Sequence, residues 1–140
     1  MLGTAIALAS ERFEKKKDKG GKPYILHCLR VMNSVEHLGE DVMCIAVLHD
    51  ILEDTNMTAI DLINLGFSNR VINGVTALTK PERTEYQLYI KSLVYNTDAV
   101  SVKLADLKDN SNITRLKGVT KKDFDRMEKY HLAYTYLSKI

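Results

Sequence analysis

The sequence predicts an all-α fold, a single helical bundle spanning residues 1–140, on three observations. Apolar residues recur at three- and four-residue spacing along most of the chain. Glycine, proline and polar clusters punctuate that pattern at intervals suited to helices. Only Val100-Ser101-Val102-Lys103-Leu104 alternates with the period of two that marks a strand. It has no partner strand, and a lone strand would leave its backbone N–H and C=O groups unpaired, so Asp98 to about Asn110 is read as a helix.

The other elements follow in order. A first helix is expected from Leu2 to Lys17, ending in the loop Lys17-Asp18-Lys19-Gly20-Gly21-Lys22-Pro23. A second should run from Tyr24 to Leu38, with Leu29, Met32, Val35 and Leu38 on one stripe and Gly39 as its stop. A third is expected from Asp41 to Asp54. Thr58, followed three residues later by Asp61, reads as an N-cap with an acidic N3 residue, opening a short helix that Gly66 closes. Val71, Val75 and Leu78 mark a helix stopped near Pro81, and Tyr86, Tyr89, Ile90 and Leu93 trace the next. The last is expected from Asp123 to Lys139, with Phe124, Met127, His131 and Tyr134 on its apolar face.

Composition narrows the function. With 45% hydrophobic and 27% charged residues the chain has the ordinary globular balance, which excludes a disordered chain. Twenty basic against 18 acidic residues give a net charge of +2, too little for a dedicated nucleic-acid binder. No apolar run is long enough for a membrane span. Met1–Ser10 lacks a basic leader, so a cytoplasmic protein is expected. Cys28 and Cys44 lack metal-site spacing and read as reduced, buried small hydrophobes. Oligomeric state leaves no signature in the sequence.

The chemistry concentrates in Leu48-His49-Asp50-Ile51-Leu52-Glu53-Asp54. On a continuous helix His49/Glu53 and Asp50/Asp54 are four apart, crowding three carboxylates and an imidazole onto one turn. Like charges at that spacing call for a cation, and imidazole with carboxylate suits a divalent transition metal. His27 and Asp106 each close an apolar run, and a core-facing carboxylate such as Asp106 is unfavourable unless paired or metal-bound. His27, His49, Asp50 and Asp106 would together form a set of two nitrogen and two oxygen ligands with room for water.

Four segments occur in order: Gly21-Lys22-Pro23-Tyr24-Ile25-Leu26-His27, Ala46-Val47-Leu48-His49-Asp50-Ile51-Leu52-Glu53-Asp54-Thr55, Gly74-Val75-Thr76-Ala77-Leu78-Thr79-Lys80 and Val102-Lys103-Leu104-Ala105-Asp106. Together they resemble the HD-domain metal-dependent phosphohydrolases, and within them the hydrolase domains, small stand-alone ones included, that cleave the alarmone (p)ppGpp. The resemblance implies one divalent metal, manganese being the expected ion, on His27, His49, Asp50 and Asp106. It implies that Glu53 and Asp54 are the catalytic acidic pair that orients or deprotonates the attacking water. Substrate contacts fall by position on Lys16, Lys17, Tyr24, Lys103 and Asn110. The implied reaction is removal of the 3′-pyrophosphate from (p)ppGpp or a relative, with no synthetase domain attached, a small-molecule nucleotide as partner, and neither nucleic acid nor membrane.

Departures bear on the substrate. Lys16 stands where alarmone hydrolases usually carry Arg and lacks the planar guanidinium that stacks on a base. Cys28 replaces the usual Pro, and the usual Ala-Asp-Arg-Leu-His-Asn is here Ala105-Asp106-Leu107-Lys108-Asp109-Asn110. An HD nucleotidase acting on nucleoside mono- or triphosphates is the enzymatic alternative, and a nucleotide-sensing module without turnover is the other. Plainer readings stand beside these. His37 reads as a surface residue, His131 as a member of an apolar face, Lys15-Lys16-Lys17 as a solvated helix end, and the tyrosines chiefly as packing residues.

Overall fold

The computed structural model describes residues 1–140. It is built from α1 (Leu2–Arg12), α2 (Ile25–Ser34), α3 (Glu40–Leu48), α4 (Ile51–Asp54), α5 (Ala59–Asn64), α6 (Asn69–Ala77), α7 (Tyr86–Ser92), α8 (Thr97–Asn110) and α9 (Lys121–Leu137), with short 3-10 turns at Glu36–Leu38, Leu93–Tyr95 and Ile113–Arg115. There is no strand beyond an isolated bridge between Lys17 and Pro23.

The central element is α3. Val42 and the continuous run from Cys44 to Leu48 are all buried, the signature of a helix that is apolar on every side and surrounded by others. It packs against α1, α2, α6 and α8. Against α6 the approach is tight: a Cβ on Gly74 would lie 2.5 Å from Ile45 Cδ1, so Gly74 permits the contact by having no side chain. α8 lies between α2, α3 and α6 on one side and α9 on the other, burying Ala99, Val100, Val102, Asp106 and Leu107. Burial on more than one face explains why part of it alternates like a strand while being helical.

Capping chemistry sets several boundaries, the first of the following as expected from the sequence. Thr58 and Asp61 form a reciprocal capping box for α5, and Gly66 ends that segment at φ 91°. A second box, Thr120 with Asp123, starts α9 earlier than the apolar pattern indicates. Asn96 caps α8 through the Ala99 N–H.

Four expectations need correction. α1 stops at Arg12 rather than Lys17, because the following loop has better local partners: Asp18 Oδ1 accepts the N–H groups of Gly20 and Lys22, each at 2.9 Å. α2 ends at Ser34, whose hydroxyl donates to the Arg30 carbonyl at 2.9 Å, and a 3-10 turn carries the chain to Gly39 at φ 98°. The expected helix Asp41–Asp54 is broken into α3 and α4 at His49-Asp50, for the reason given below. The buried face of α9 is Asp123, Ala133 and Leu137 with Met127, Tyr130 and Tyr134 half-buried, so Phe124 and His131 point outward. The apolar stripe is rotated by about one residue from the expected one.

The remaining plain readings hold in part. His37 is exposed. Cys28 and Cys44 are buried and unpaired, and burial pushes the Cys28 thiol up to about 12 and the Cys44 thiol to about 11, leaving both inert. Tyr89 is buried and Tyr86, Tyr130 and Tyr134 partly so, whereas Tyr95 and Tyr136 are exposed. No helix is long and apolar enough to cross a membrane.

Candidate metal centre

Three elements supply the central groups: His27 from the first turn of α2, His49 from the end of α3, and Asp106 from the buried face of α8. Side-chain ligand atoms of these three residues lie within 4.8 Å of one another, and all three residues are buried. His27 Nε2 is 3.0 Å and His49 Nε2 3.3 Å from the same oxygen, Asp106 Oδ1. His49 Nε2 is also 3.0 Å from Asp50 Oδ2, which brings the fourth expected ligand to the cluster's edge.

The helix break at His49 follows from how its ring is held. His49 N–H bonds the Ala46 carbonyl at 3.3 Å, an i−3 contact that tightens the last turn, and His49 Nδ1 reaches the same carbonyl at 2.6 Å. The backbone turns through Asp50 at φ −101°, ψ 1° before α4 begins. A continuous helix would have stacked Asp50 above Asp54 and His49 above Glu53; the break sends the two pairs to different partners.

The tautomers follow. A carbonyl can only accept, so His49 Nδ1 donates; His27 Nδ1 lies 2.6 Å from Asp109 Oδ2 and donates likewise. In each neutral ring this leaves Nε2 with a lone pair aimed at carboxylate oxygens, and neither buried Nε2 makes a hydrogen bond. Lone pairs facing lone pairs repel unless positive charge lies between them. The donor set of two imidazole nitrogens and carboxylate oxygen therefore fits a divalent transition metal, which needs no linear N–H geometry.

Charge in the surroundings points the same way. For both His27 and His49, burial disfavours the charged ring, but neighbouring carboxylates outweigh it and raise the pKa: Asp106 and Asp109 for His27, Asp50 and Asp106 for His49. Asp106 is held below the usual carboxylate range although burial opposes this, chiefly by Lys103, whose Nζ is 2.9 Å from Oδ2, and by His49. Asn110 donates to Asp106 Oδ1 at 3.0 Å. The Tyr24 hydroxyl donates to Asp50 Oδ2, and burial followed by the Asp50 charge raises its pKa.

The outer acids and the basic loop lie around this cluster. Glu53 Oε1 accepts the Lys80 N–H at 2.7 Å, tying α4 to the loop after α6. Asp54 Oδ2 is 2.7 Å from Lys16 Nζ, which also sits 4.2 Å above the Tyr24 ring. Lys16 is thus turned inward onto an acid and an aromatic face, whereas Lys17 is exposed. Lys103 is largely buried behind Asp106 and over the Tyr89 ring, at 5.4 Å from its centroid. Asn110 also lines a cavity of about 60 Å³ formed with the Asp18–Gly20 loop, Arg115, Arg126 and Tyr130.

Sequence reasoning missed Asp109, Arg115, Arg126 and Tyr130. The signal for the last two was there: Arg126 and Tyr130 are four apart, on the face of α9 that shifting the stripe by one residue would have revealed. Asp109 showed in the sequence only as a departure from the resembled motif and Arg115 not at all, because the crossing of α2 and α8 is what brings Asp109 to His27 and Arg115 joins it from the turn beyond.

Comparison with known proteins places this geometry. Residues 5–110 match the family described as HD domain. A guanosine-3′,5′-bis(diphosphate) 3′-pyrophosphohydrolase of Aquifex aeolicus is 35% identical over 116 residues, covering 76% of this chain and 16% of that protein. The GTP pyrophosphokinase rsh of Brucella melitensis is 30% identical over 132 residues, covering 88% of this chain and 18% of that protein. The guanosine-3′,5′-bis(diphosphate) 3′-pyrophosphohydrolase MESH1 of Danio rerio is 35% identical over 92 residues, covering 59% of this chain and 51% of that protein. The chain thus spans under a fifth of the two bacterial relatives and about half of the fish protein. Among solved structures, a metazoan ortholog of SpoT that hydrolyzes ppGpp superposes with a TM-score of 0.79 at 23% identity, covering 97% of this chain and 84% of that one, and shows the shared fold. With residues 5–110 matched and His27, His49 and Asp106 gathered in one buried cluster, this chain belongs to the HD-domain family.

Proposed function

We propose that the chain is a metal-dependent phosphohydrolase that removes the 3′-pyrophosphate from (p)ppGpp or a closely related nucleotide. The observation that carries the metal dependence is the pair of buried, unpartnered Nε2 atoms directed at one carboxylate oxygen. The substrate class is supported by relatives in Aquifex aeolicus and Danio rerio whose names specify that reaction.

In this reading His27, His49, Asp106 and Asp50 hold the ion, with manganese as the expected metal. When bound, a divalent ion supplies Lewis-acid polarisation of a phosphoryl group and acidifies water. The chain's own residues do the rest. In this reading Glu53, whose Oε1 accepts the Lys80 N–H, takes a proton from the attacking water. Asp54 keeps Lys16 beside the site, and Lys16 with Tyr24 forms the cationic and aromatic wall where phosphates and a base would meet the protein. Asn110 joins the metal cluster to the cavity bordered by Lys19, Arg126 and Tyr130, whose cations and ring suit a phosphorylated nucleotide. At about 60 Å³ that cavity must open for a nucleotide to enter.

A second reading, an HD nucleotidase for nucleoside mono- or triphosphates, is favoured by one observation: Lys16 is engaged by Asp54 and Tyr24 and offers no planar group to grip guanine. The deciding experiment incubates metal-stripped protein with and without Mn2+ and a panel of ppGpp, pppGpp, ppApp, GTP and nucleoside monophosphates, with products resolved by ion-exchange chromatography. Metal-dependent pyrophosphate release from ppGpp supports the first reading. Turnover of another nucleotide alone supports the second, and alarmone binding without turnover would make the chain a nucleotide-sensing module.

A further inference from the structure

At the position where the resembled motif carries His, this chain carries Asp109, and its carboxylate is the most heavily engaged outside the central cluster. Two helices cross there with matched spacing: His27 and Arg30 are three apart on α2, and Asp106 and Asp109 three apart on α8. The crossing forms a square. His27 meets Asp106 through Nε2 at 3.0 Å and Asp109 through Nδ1 at 2.6 Å, while Asp109 also meets Arg30, whose Nε donates to Oδ1 at 2.8 Å and Nη2 to Oδ2 at 3.2 Å.

Arg115, from the 3-10 turn after α8, completes the clamp. Its Nη1 donates to Asp109 Oδ1 and its Nη2 to Oδ2, both at 3.2 Å, and Nη2 reaches the Asp109 carbonyl as well. The Arg115 backbone is itself wedged: a Cβ on Gly20 would lie 2.5 Å from its carbonyl oxygen, so the loop that carries Lys19 presses directly on this turn. A chain of contacts therefore runs from the cavity-lining loop through Arg115 and Asp109 to the ring of His27.

We propose that Asp109 is a positioning residue for the metal centre: with Arg30 and Arg115 fixing its carboxylate, it holds the His27 ring by Nδ1 so that Nε2 faces Asp106 and binds the ion. The proposal rests on the metal reading given above. The two ligand histidines are then held by different means. His49 is held by the Ala46 carbonyl, which no substitution removes, whereas His27 is held by a side chain whose charge strengthens the donor power of Nε2. His27 is thus the adjustable ligand.

The test measures Mn2+ affinity by titration calorimetry, and the visible absorption of the Co2+-loaded protein, for the full chain and the variants Asp109→Asn, Asp109→Glu, Arg115→Met and His27→Ala. Asp109→Asn keeps an acceptor for Nδ1 but removes the charge. It is expected to fold, to bind Mn2+ roughly 10- to 100-fold more weakly, and to alter the Co2+ spectrum. Asp109→Glu should retain more of the affinity than Asp109→Asn. Arg115→Met leaves the carboxylate on His27 under Arg30 alone, and should lower the melting temperature and weaken Mn2+ binding, by less than Asp109→Asn does. Wild-type affinity and spectrum in Asp109→Asn would overturn the proposal and reduce Asp109 to a tie between α2 and α8. If Asp109→Asn does not fold, an Asp109→Glu affinity and spectrum equal to the wild type support the proposal, and loss of binding equal to that of His27→Ala overturns it. Undiminished binding in His27→Ala is a separate result, since it removes the metal reading itself.

Discussion

The imidazoles of His27 and His49 stand edge to face with centroids 5.3 Å apart, and the Nε2 of each points at the same oxygen of Asp106. Two ring nitrogens from separate helices thus converge on one carboxylate oxygen of a third, which accepts a hydrogen bond from Asn110 at 3.0 Å and none from either ring. Removing either end of this relationship tests it. Asp106→Ala and His49→Ala are each expected to abolish saturable Mn2+ binding and turnover. In the wild type, Mn2+ at 100 times its dissociation constant should stabilise the fold by about 2.7 kcal/mol, read as a rise in melting temperature that neither variant shows.

Protons and metal compete for the same two nitrogens, which sets the sign of the pH dependence. Both rings have pKa values raised above the unfolded value of about 6.5. Their protonated form therefore stabilises the metal-free fold fully below that value, and the contribution is lost as pH rises through the higher folded pKa. Metal binding requires deprotonated Nε2 and strengthens over the same interval. The melting temperature of metal-free protein should fall as pH rises above about 6.5, through the raised folded pKa values, while the increment from Mn2+ grows. A metal-free melting temperature that climbs across that range contradicts this assignment.

Lys103 is the one cation on Asp106 Oδ2, at 2.9 Å and largely buried. Lys103→Met leaves the carboxylate without it and should destabilise metal-free protein by about 3–5 kcal/mol, measured by urea unfolding. Saturating Mn2+ should recover part of the loss, since a second positive charge then faces the same carboxylate. Equal losses with and without metal would detach Lys103 from the site.

Glu53 contacts a backbone N–H rather than any central ligand, so its role is separable from ion binding. Glu53→Gln retains an oxygen for the Lys80 N–H and should fold and bind Mn2+ normally while kcat falls roughly 10²- to 10⁴-fold. Loss of metal affinity in this variant would move Glu53 into the ligand set.

Packing of α3 on α6 depends on Gly74 having no side chain. Gly74→Val should cost about 1–3 kcal/mol in denaturant unfolding, and Ile45→Ala introduced with it should recover part of that loss by making room. Additive losses in the double variant would place the strain elsewhere.

The comparison of sequence and structure turns on the range of the interactions involved. The all-α architecture, the Thr58/Asp61 cap and the burial of both cysteines were legible because each depends on residues within a turn or two, or on an apolar pattern that has one low-energy solution. So were His27, His49 and Asp106, because a polar residue closing an apolar run is unfavourable unless something positive meets it. Tertiary structure decided the rest. The break at His49-Asp50 arises because the ring and N–H of His49 share the Ala46 carbonyl, a competition that periodicity does not register. The pairing of Lys16 with Asp54, and the grip of Asp109 on His27, join residues 38 and 82 positions apart. Hydrogen bonds act over about 3 Å of space, whatever the separation along the chain, so only the crossing of the helices could assign those partners.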